Sequence, residues 1–306
     1  MRRSLALLVT LALTGSAHAF VRSTTNAGVP VWWYGDCVFL ALDNSTPSPD
    51  LPFATVQSVL AKSIANWQTP TLGAGCSYLV INIDAPAALE AKLDEQNVVK
   101  FRTDKWCRPA EPNNPEMCYS QQAAAITTVF YASDGAENGR ILDADIELNS
   151  IDFTFATLPT TTLPRTGTAV TDLENTLTHE LGHLQGLDHS CWDHSSSLHP
   201  IDNTGAPIPD CADVLSHRVS DAVYRAVTES TMFNYANPGE TIKRMPKPDD
   251  IAGPCDIYPK AKDPGVCVRD GQPAGGCCNN NNALPNGASM LLVFLIAAPF
   301  LRRKRA

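Results

Sequence analysis

The chain has 306 residues, enough for one good-sized domain with further segments at its ends. A hydrophobic share of 44% excludes a disordered chain, and a formal charge of −9 excludes a basic one. Six of the 23 basic residues stand at the two ends (Arg2, Arg3, Arg302, Arg303, Lys304 and Arg305), leaving 17 against 32 acidic residues in the body, a balance that argues against nucleic acid as a partner. Ten cysteines, none spaced C-x-x-C, point to an oxidising compartment and disulfides, and away from a zinc ribbon or a thioredoxin-type motif. Connectivity is not readable from spacing, but Cys107–Cys118 and Cys191–Cys211 are short-range pairs that could close loops.

Residues 1–19 read as an export signal. Arg2 and Arg3 precede the apolar run Leu5–Leu13, and Ala17-His18-Ala19 offers a small-x-small cleavage site before Phe20. The rival reading, a membrane anchor, needs a longer apolar run. Residues 20–30 look like a short lead with little structure of its own. Val31–Leu42, aromatic and β-branched, predicts a strand. Asp50 then stands as an N-cap for a helix over Phe53–Trp67, where Val56, Leu60, Ile64 and Trp67 form one apolar stripe bound for a core. Tyr78–Ile83, Val98–Phe101 and Ala125–Tyr131 predict further strands, with a Pro-rich surface loop around Cys107 and Cys118.

Ile141–Leu148 alternates Leu142, Ala144, Ile146 and Leu148 with Asp143, Asp145 and Glu147, which predicts a strand with one buried face and one solvated face. The same three carboxylates could instead hold calcium, since hard cations take clustered oxygens. Phe153–Ala156 is a short strand or a cleft wall, and Thr160–Gly167 a Thr/Pro loop. Thr171-x-x-Glu174 then fits a capping box, and Leu173, Leu177, Leu181 and Leu184 recur at helical spacing.

That helix carries His179-Glu180-Leu181-Gly182-His183, followed by Gly186, His189 and Ser190. Two histidines four apart leave one face of a helix and can meet one ion. Glu180 is placed to take a proton from an attacking water without ligating the metal itself. Gly186 can adopt the left-handed backbone that ends a helix and returns His189 as a third nitrogen. Three neutral ligands with an open fourth position are the catalytic form of a zinc site. The five-residue motif alone also occurs by chance on core helices; the added Gly and third His make the zinc reading specific.

Beyond it, Cys191–Cys211 reads as a polar loop. His194, His199 and His217 are either ligands of a second metal or exposed loop histidines, the plainer reading. Val214, Val219, Val223 and Val227 predict a helix over Asp213–Val227. Residues 261–287 form a linker rich in Gly, Pro, Asn and Cys, and 288–306 an apolar run closed by basic residues. The run Ala288–Leu301 is short for a membrane span.

The extended motif, with Ser190 after its third His, resembles the metzincin metallopeptidases, specifically their matrixin branch. The resemblance runs from about Val31 to Tyr258, within a domain bounded at 31–260, and is strongest at the motif. It implies an α+β fold: a mixed twisted sheet of about five strands, an active-site helix, and a smaller C-terminal subdomain after the third ligand. It implies catalytic zinc on His179, His183 and His189, with Glu180 as general base. Met232, within Ser230–Tyr235, would form the family's Met-turn beneath the metal. Tyr235 lies three residues after Met232, not two, so the zinc contact some members make there is not carried over. Pro248–Tyr258 would be the last helix. Asp143, Ala144, Asp145, Ile146, Glu147, Leu148 and Asn149 would form the sheet-edge strand that pairs with an extended substrate. The P-R-C-G segment that keeps many matrixins latent has no counterpart, and 42 residues between His189 and Met232 depart from the branch's pattern.

The function so implied is a secreted or surface-attached zinc endopeptidase acting on proteins or peptides. A catalytically silent adhesion protein on the same scaffold is the rival from another class, and a zinc hydrolase of non-peptide amides a third reading. The Cys, apolar run and basic cluster at the C-terminus resemble myxobacterial sorting tails. That likeness implies delivery to the outer envelope or beyond, with the membrane met only through the tail.

Overall fold

The computed structural model of the chain describes residues 20–111, 114–160 and 163–267, and the backbone of 288–293. The predicted export signal at 1–19, Cys277 and Cys278, and the basic end of the tail lie outside the described residues.

In chain order the strands and helices are β1 (Val21–Arg22), β2 (Trp32–Trp33), β3 (Cys37–Leu42), α1 (Phe53–Gly73), β4 (Val80–Ile83), β5 (Val98–Arg102), β6 (Cys107–Arg108), β7 (Met117–Cys118), β8 (Ala125–Ala132), β9 (Arg140–Asn149), β10 (Phe153–Ala156), β11 (Ala169–Asp172), α2 (Leu173–Leu184), β12 (Leu187–Asp188), α3 (Cys211–Leu215), α4 (Asp221–Glu229), α5 (Pro248–Ile257) and β13 (Ala288–Val293). The main sheet runs β13-β8-β9-β5-β3-β4, with β2 beside β9. Its pairings are parallel from β9 to β4, while β8 is antiparallel to β9 and β13 antiparallel to β8. The chain is therefore mixed α/β with a mostly parallel sheet. Helices α1 and α2 share one core with it, where Leu60, Ile64 and Trp67 meet Leu173, Leu177 and Leu181 together with Ala144, Ile146 and Leu148 of β9.

Several expectations need correction. The predicted strand Val31–Leu42 is broken at Gly35, whose φ of 89° turns the chain between β2 and β3. Asp50 does not cap α1; its carboxylate accepts from the Phe155 amide at 3.0 Å and pairs with Arg165 at 2.7 Å. The helix starts after Pro52 and runs six residues past Trp67, because Thr71 is buried and bonds back to the Trp67 carbonyl at 2.9 Å. The lead at 20–30 is structured: Phe20 is a core residue and β1 pairs with β12. The predicted helix Asp213–Val227 is two short ones, separated at His217, whose φ is 53°.

The larger corrections concern β9. It lies between β8 and β5 in the interior of the sheet, so Asp143–Asn149 is not an edge strand. Nor is its acidic face solvated, since Asp143, Asp145 and Glu147 are all fully buried. The loop closed by Cys107–Cys118 supplies Arg108 to Glu147 and Asp145. Glu147 accepts from Arg102 Nε at 2.6 Å, Arg108 Nη2 at 2.9 Å and the Tyr119 hydroxyl at 2.8 Å. Asp143 accepts the amides of Asp94 and Glu95 at 2.8 and 2.9 Å, and Asp145 that of Val98 at 3.2 Å. Beside them Lys100 pairs with Asp43 at 2.9 Å. Alternation told the two faces apart correctly, but a period of two cannot say whether a polar face meets water or buried cations.

Among the described residues four disulfides join Cys37–Cys267, Cys76–Cys255, Cys107–Cys118 and Cys191–Cys211, which suits an oxidising environment. The first two bind the C-terminal part of the chain to β3 and the end of α1, so Cys267, within the predicted linker, is fastened to the body. No described helix is long and apolar enough to cross a membrane.

Candidate metal centre

Helix α2 begins one residue later than the capping box predicts. Asp172, not Thr171, is the N-cap, accepting from the Asn175 amide at 2.8 Å, while Glu174 pairs outward with Lys62 at 2.9 Å. The leucine stripe faces the sheet and α1, and Trp67 Nε1 donates to the Thr178 carbonyl at 2.7 Å, locking the two helices together. The helix stops at Leu184, and Gly186 (φ 93°) reverses the chain into β12. A side chain there would be strained and would meet the Val31 carbonyl at 3.2 Å.

The three predicted ligands come together. His183 Nε2 stands 3.1 Å from His179 Nε2 and 3.2 Å from His189 Nε2. All three rings are anchored through Nδ1: His179 on the Thr231 carbonyl at 2.6 Å, His183 on the Leu187 carbonyl at 2.8 Å, and His189 on Asp193 Oδ2 at 3.0 Å. Each partner is an acceptor, which places the hydrogen on Nδ1 and turns Nε2 of each ring toward the other two. Nitrogens about 2.0–2.1 Å from one tetrahedral ion stand about 3.3 Å apart, close to the observed spacing. The residues present fit a metal ion.

Protonation does not offer a ready alternative. His179, His183 and Glu180 are 0% exposed and His189 2%. Burial, and after it the neighbouring rings, push the pKa of His179 and His183 well below the ordinary value, so these two rings stay neutral.

Glu180 accepts from the Thr127 hydroxyl of β8 at 2.7 Å through Oε2, while its buried Oε1 has no hydrogen-bond partner. Burial pushes its pKa up to about 8, against the pull of Thr127. A dication near it would draw that value down again.

Met232 packs beside Gly182, between the two helical ligands, where any Cβ would strike its sulfur. Its carbonyl accepts from the Ser190 amide at 3.1 Å, and the Ser190 hydroxyl donates to the Val227 carbonyl at 3.1 Å. Asp250, at the start of α5, holds this turn by accepting from the Ser230 hydroxyl at 2.6 Å and the Thr231 amide at 2.9 Å. At the far end of α5, Tyr258 donates to the Gln185 carbonyl at 2.9 Å and so steadies the exit of α2. From the other side β1 pairs with β12, and the Ser23 hydroxyl donates to the Leu187 carbonyl at 2.9 Å.

The predicted strand residues Asp143–Asn149 are not beside the site's opening: their acidic side chains lie on the opposite face of the sheet. His194 and His199 flank Trp192, with ring centroids 3.8 and 4.3 Å from it, and His217 stacks on Tyr224 at 4.1 Å. Among the described residues none of these three belongs to a group of side chains able to hold a metal, and none of the three carboxylates of β9 does.

Sequence reasoning missed Thr127, Asp193 and Asp250. Thr127 and Asp193 carry no local signal, since their partners lie on other elements or are set by a loop's path. Asp250, in a Pro-Asp-Asp helix start, was legible as a first-turn carboxylate but not as an anchor for the Met232 turn. No protein-family model matches this chain, and no curated protein matches it as a relative.

Proposed function

We propose that the chain is a secreted zinc endopeptidase of metzincin type, with His179, His183 and His189 as ligands and Glu180 as general base. The observation that carries the reading is the convergence of three buried imidazoles, with His183 Nε2 3.1 Å from His179 Nε2 and 3.2 Å from His189 Nε2, at the helix that also carries the Glu180 carboxylate. A purely structural zinc is usually closed by four protein ligands and has no use for that carboxylate. The reversal at Gly186 and the seat of Met232 beneath Gly182 support the family assignment, as does the ending of α5 in Tyr258 against the exit of α2.

When bound, zinc supplies Lewis acidity, lowering the pKa of water towards about 7 and polarising a carbonyl. The protein's own groups do the rest. Glu180 Oε1 receives the proton of the attacking water and passes it to the departing amine. The Thr127 hydroxyl holds Oε2, so the proton is handled at one oxygen. The three Nδ1 anchors keep the rings from rotating out of the converging arrangement.

An extended peptide adds to β8 in this reading, not to β9. Strand β8 carries Thr127, and both of its sides pair antiparallel, the inner one with β9. Residues 288–293 lie along its outer side, with Val293 opposite Thr127 and Ala288 opposite Ala132, so a substrate pairing there must replace them.

The test is digestion of an unfolded protein or peptide library by the purified chain, with and without a chelator, beside a Glu180→Gln variant. Cleavage that needs zinc is expected, with the variant retaining one equivalent of metal but losing about 10²–10⁴-fold in rate. A Glu180→Gln protein cutting at the wild-type rate would remove the mechanism.

A further inference from the structure

The three ligand rings are not held alike. His179 and His183 sit on a helix and lean on the backbone carbonyls of Thr231 and Leu187. His189 follows a two-residue strand and a reversed turn, and its Nδ1 rests on a carboxylate, Asp193 Oδ2, at 3.0 Å. That carboxylate is set in place. Its other oxygen accepts the Ser195 amide at 3.0 Å and the Ser195 hydroxyl, and its side chain is only 13% exposed. The segment carrying it is closed by Cys191–Cys211 and by paired backbone bonds, Trp192 N to the Pro209 carbonyl and Cys211 N to the Trp192 carbonyl, both 2.9 Å.

We infer that Asp193 is a positioning residue for the third ligand, and that the disulfide-closed loop 191–211 exists to hold it there, so that loop closure sets the metal affinity of the site. This rests on the reading of the histidines as a metal centre. A carboxylate behind an imidazole fixes its tautomer and ring plane and makes the ligating nitrogen more basic. It also matters electrostatically. Three imidazole ligands leave a dication uncompensated in a buried site, and the Asp193 carboxylate supplies negative charge behind the third ring. The first two rings need less help, because α2 already sets their separation. The third is delivered by irregular chain, where nothing but side-chain and loop contacts restrains the ring.

Zinc affinity, measured by competition with a chromophoric chelator, tests this without any substrate. Asp193→Asn keeps the shape but removes the charge, and is expected to bind zinc about 10–100-fold more weakly, with an altered visible spectrum when cobalt replaces zinc. Asp193→Glu should recover part of the loss. Asp210→Asn, on the same loop but paired with His194, should bind as the wild type does. The Cys191→Ser/Cys211→Ser variant leaves Asp193 in the chain and frees the loop. It should weaken zinc in the same direction and add little to Asp193→Asn, because both act through one contact. A wild-type chain that binds no zinc overturns the underlying reading of the site. A wild type that binds, with Asp193→Asn and the double-serine variant both within twofold of it, overturns this inference alone.

Discussion

Strands β8 and β9 separate two clusters of fully buried ionisable groups, and the contrast between them shows which one is a site. On one face Glu147 is met by Arg102, Arg108 and Tyr119, and Asp43 by Lys100. Charge answers charge, as a buried network requires. On the other face three buried imidazoles converge, with His183 Nε2 3.1 Å from His179 Nε2 and 3.2 Å from His189 Nε2, on and after the helix that carries Glu180. The first cluster answers most of its charge with ion pairs, although Asp143 Oδ1, Asp145 Oδ2 and Arg108 Nη1 find no hydrogen-bond partner among the described residues, and it reads as structural. The second holds no cation of its own and gathers three imidazoles that could hold a metal ion.

The largest expected effect breaks this comparison directly. Glu147→Ala leaves Arg102 and Arg108 buried without their main partner and should cost about 3–5 kcal/mol of stability in urea unfolding, while folded protein still takes up one zinc. His183→Ala should do the reverse, abolishing zinc uptake in equilibrium dialysis and costing the metal-free protein less than Glu147→Ala. Equal destabilisation by both, with zinc retained by both, would erase the distinction.

A smaller effect concerns pH. Burial raises Asp143, the amides of Asp94 and Glu95 oppose that, and the charge of Asp94 adds to it; Asp145 is raised well above the ordinary value by burial and then by Asp143. The unfolded chain gives up these protons near about pH 3.9, whereas the folded chain keeps them to higher pH. Over that window the native state binds more protons, so stability falls as pH rises. Asp143→Asn, which mimics the protonated form, should flatten the decline between about pH 5 and about pH 8, at most about 1.4 kcal/mol per pH unit for one proton. Urea midpoints at the two pH values measure it, and an unchanged slope would show that Asp143 is ionised in the fold.

The smallest effect lies at the β8 edge. Ending the chain after residue 287 removes the strand paired with β8 and should speed peptide cleavage a few-fold, with faster amide exchange over Thr127–Ala132. Unchanged exchange and unchanged rates would mean that this pairing does not restrict the edge.

Much of the site was legible because its chemistry is local. His179 and His183 are neighbours on any helix that includes them, and Gly186 marks the one place where the chain must reverse. The leucine stripe told which side of α2 would be buried, and two of the four disulfides were short enough to guess. What stayed hidden involved partners far away in sequence. Nothing near Asp143 announces Arg108 or the amides of residues 94 and 95, so an alternating strand was taken for a wet one. Nothing near β9 says that β8 and β13 lie outside it, so no local signal tells this interior strand from an edge.

The amino-acid order by itself therefore determined the three histidines of the candidate centre, the helix that carries two of them, and the turn that returns the third. Those depend on backbone geometry over a dozen residues. Tertiary structure alone decided which strand borders the site, which oxygens anchor the three rings, and how the acids of β9 are neutralised. Such choices are made by contacts between segments tens to hundreds of residues apart, whose pairing no local period encodes.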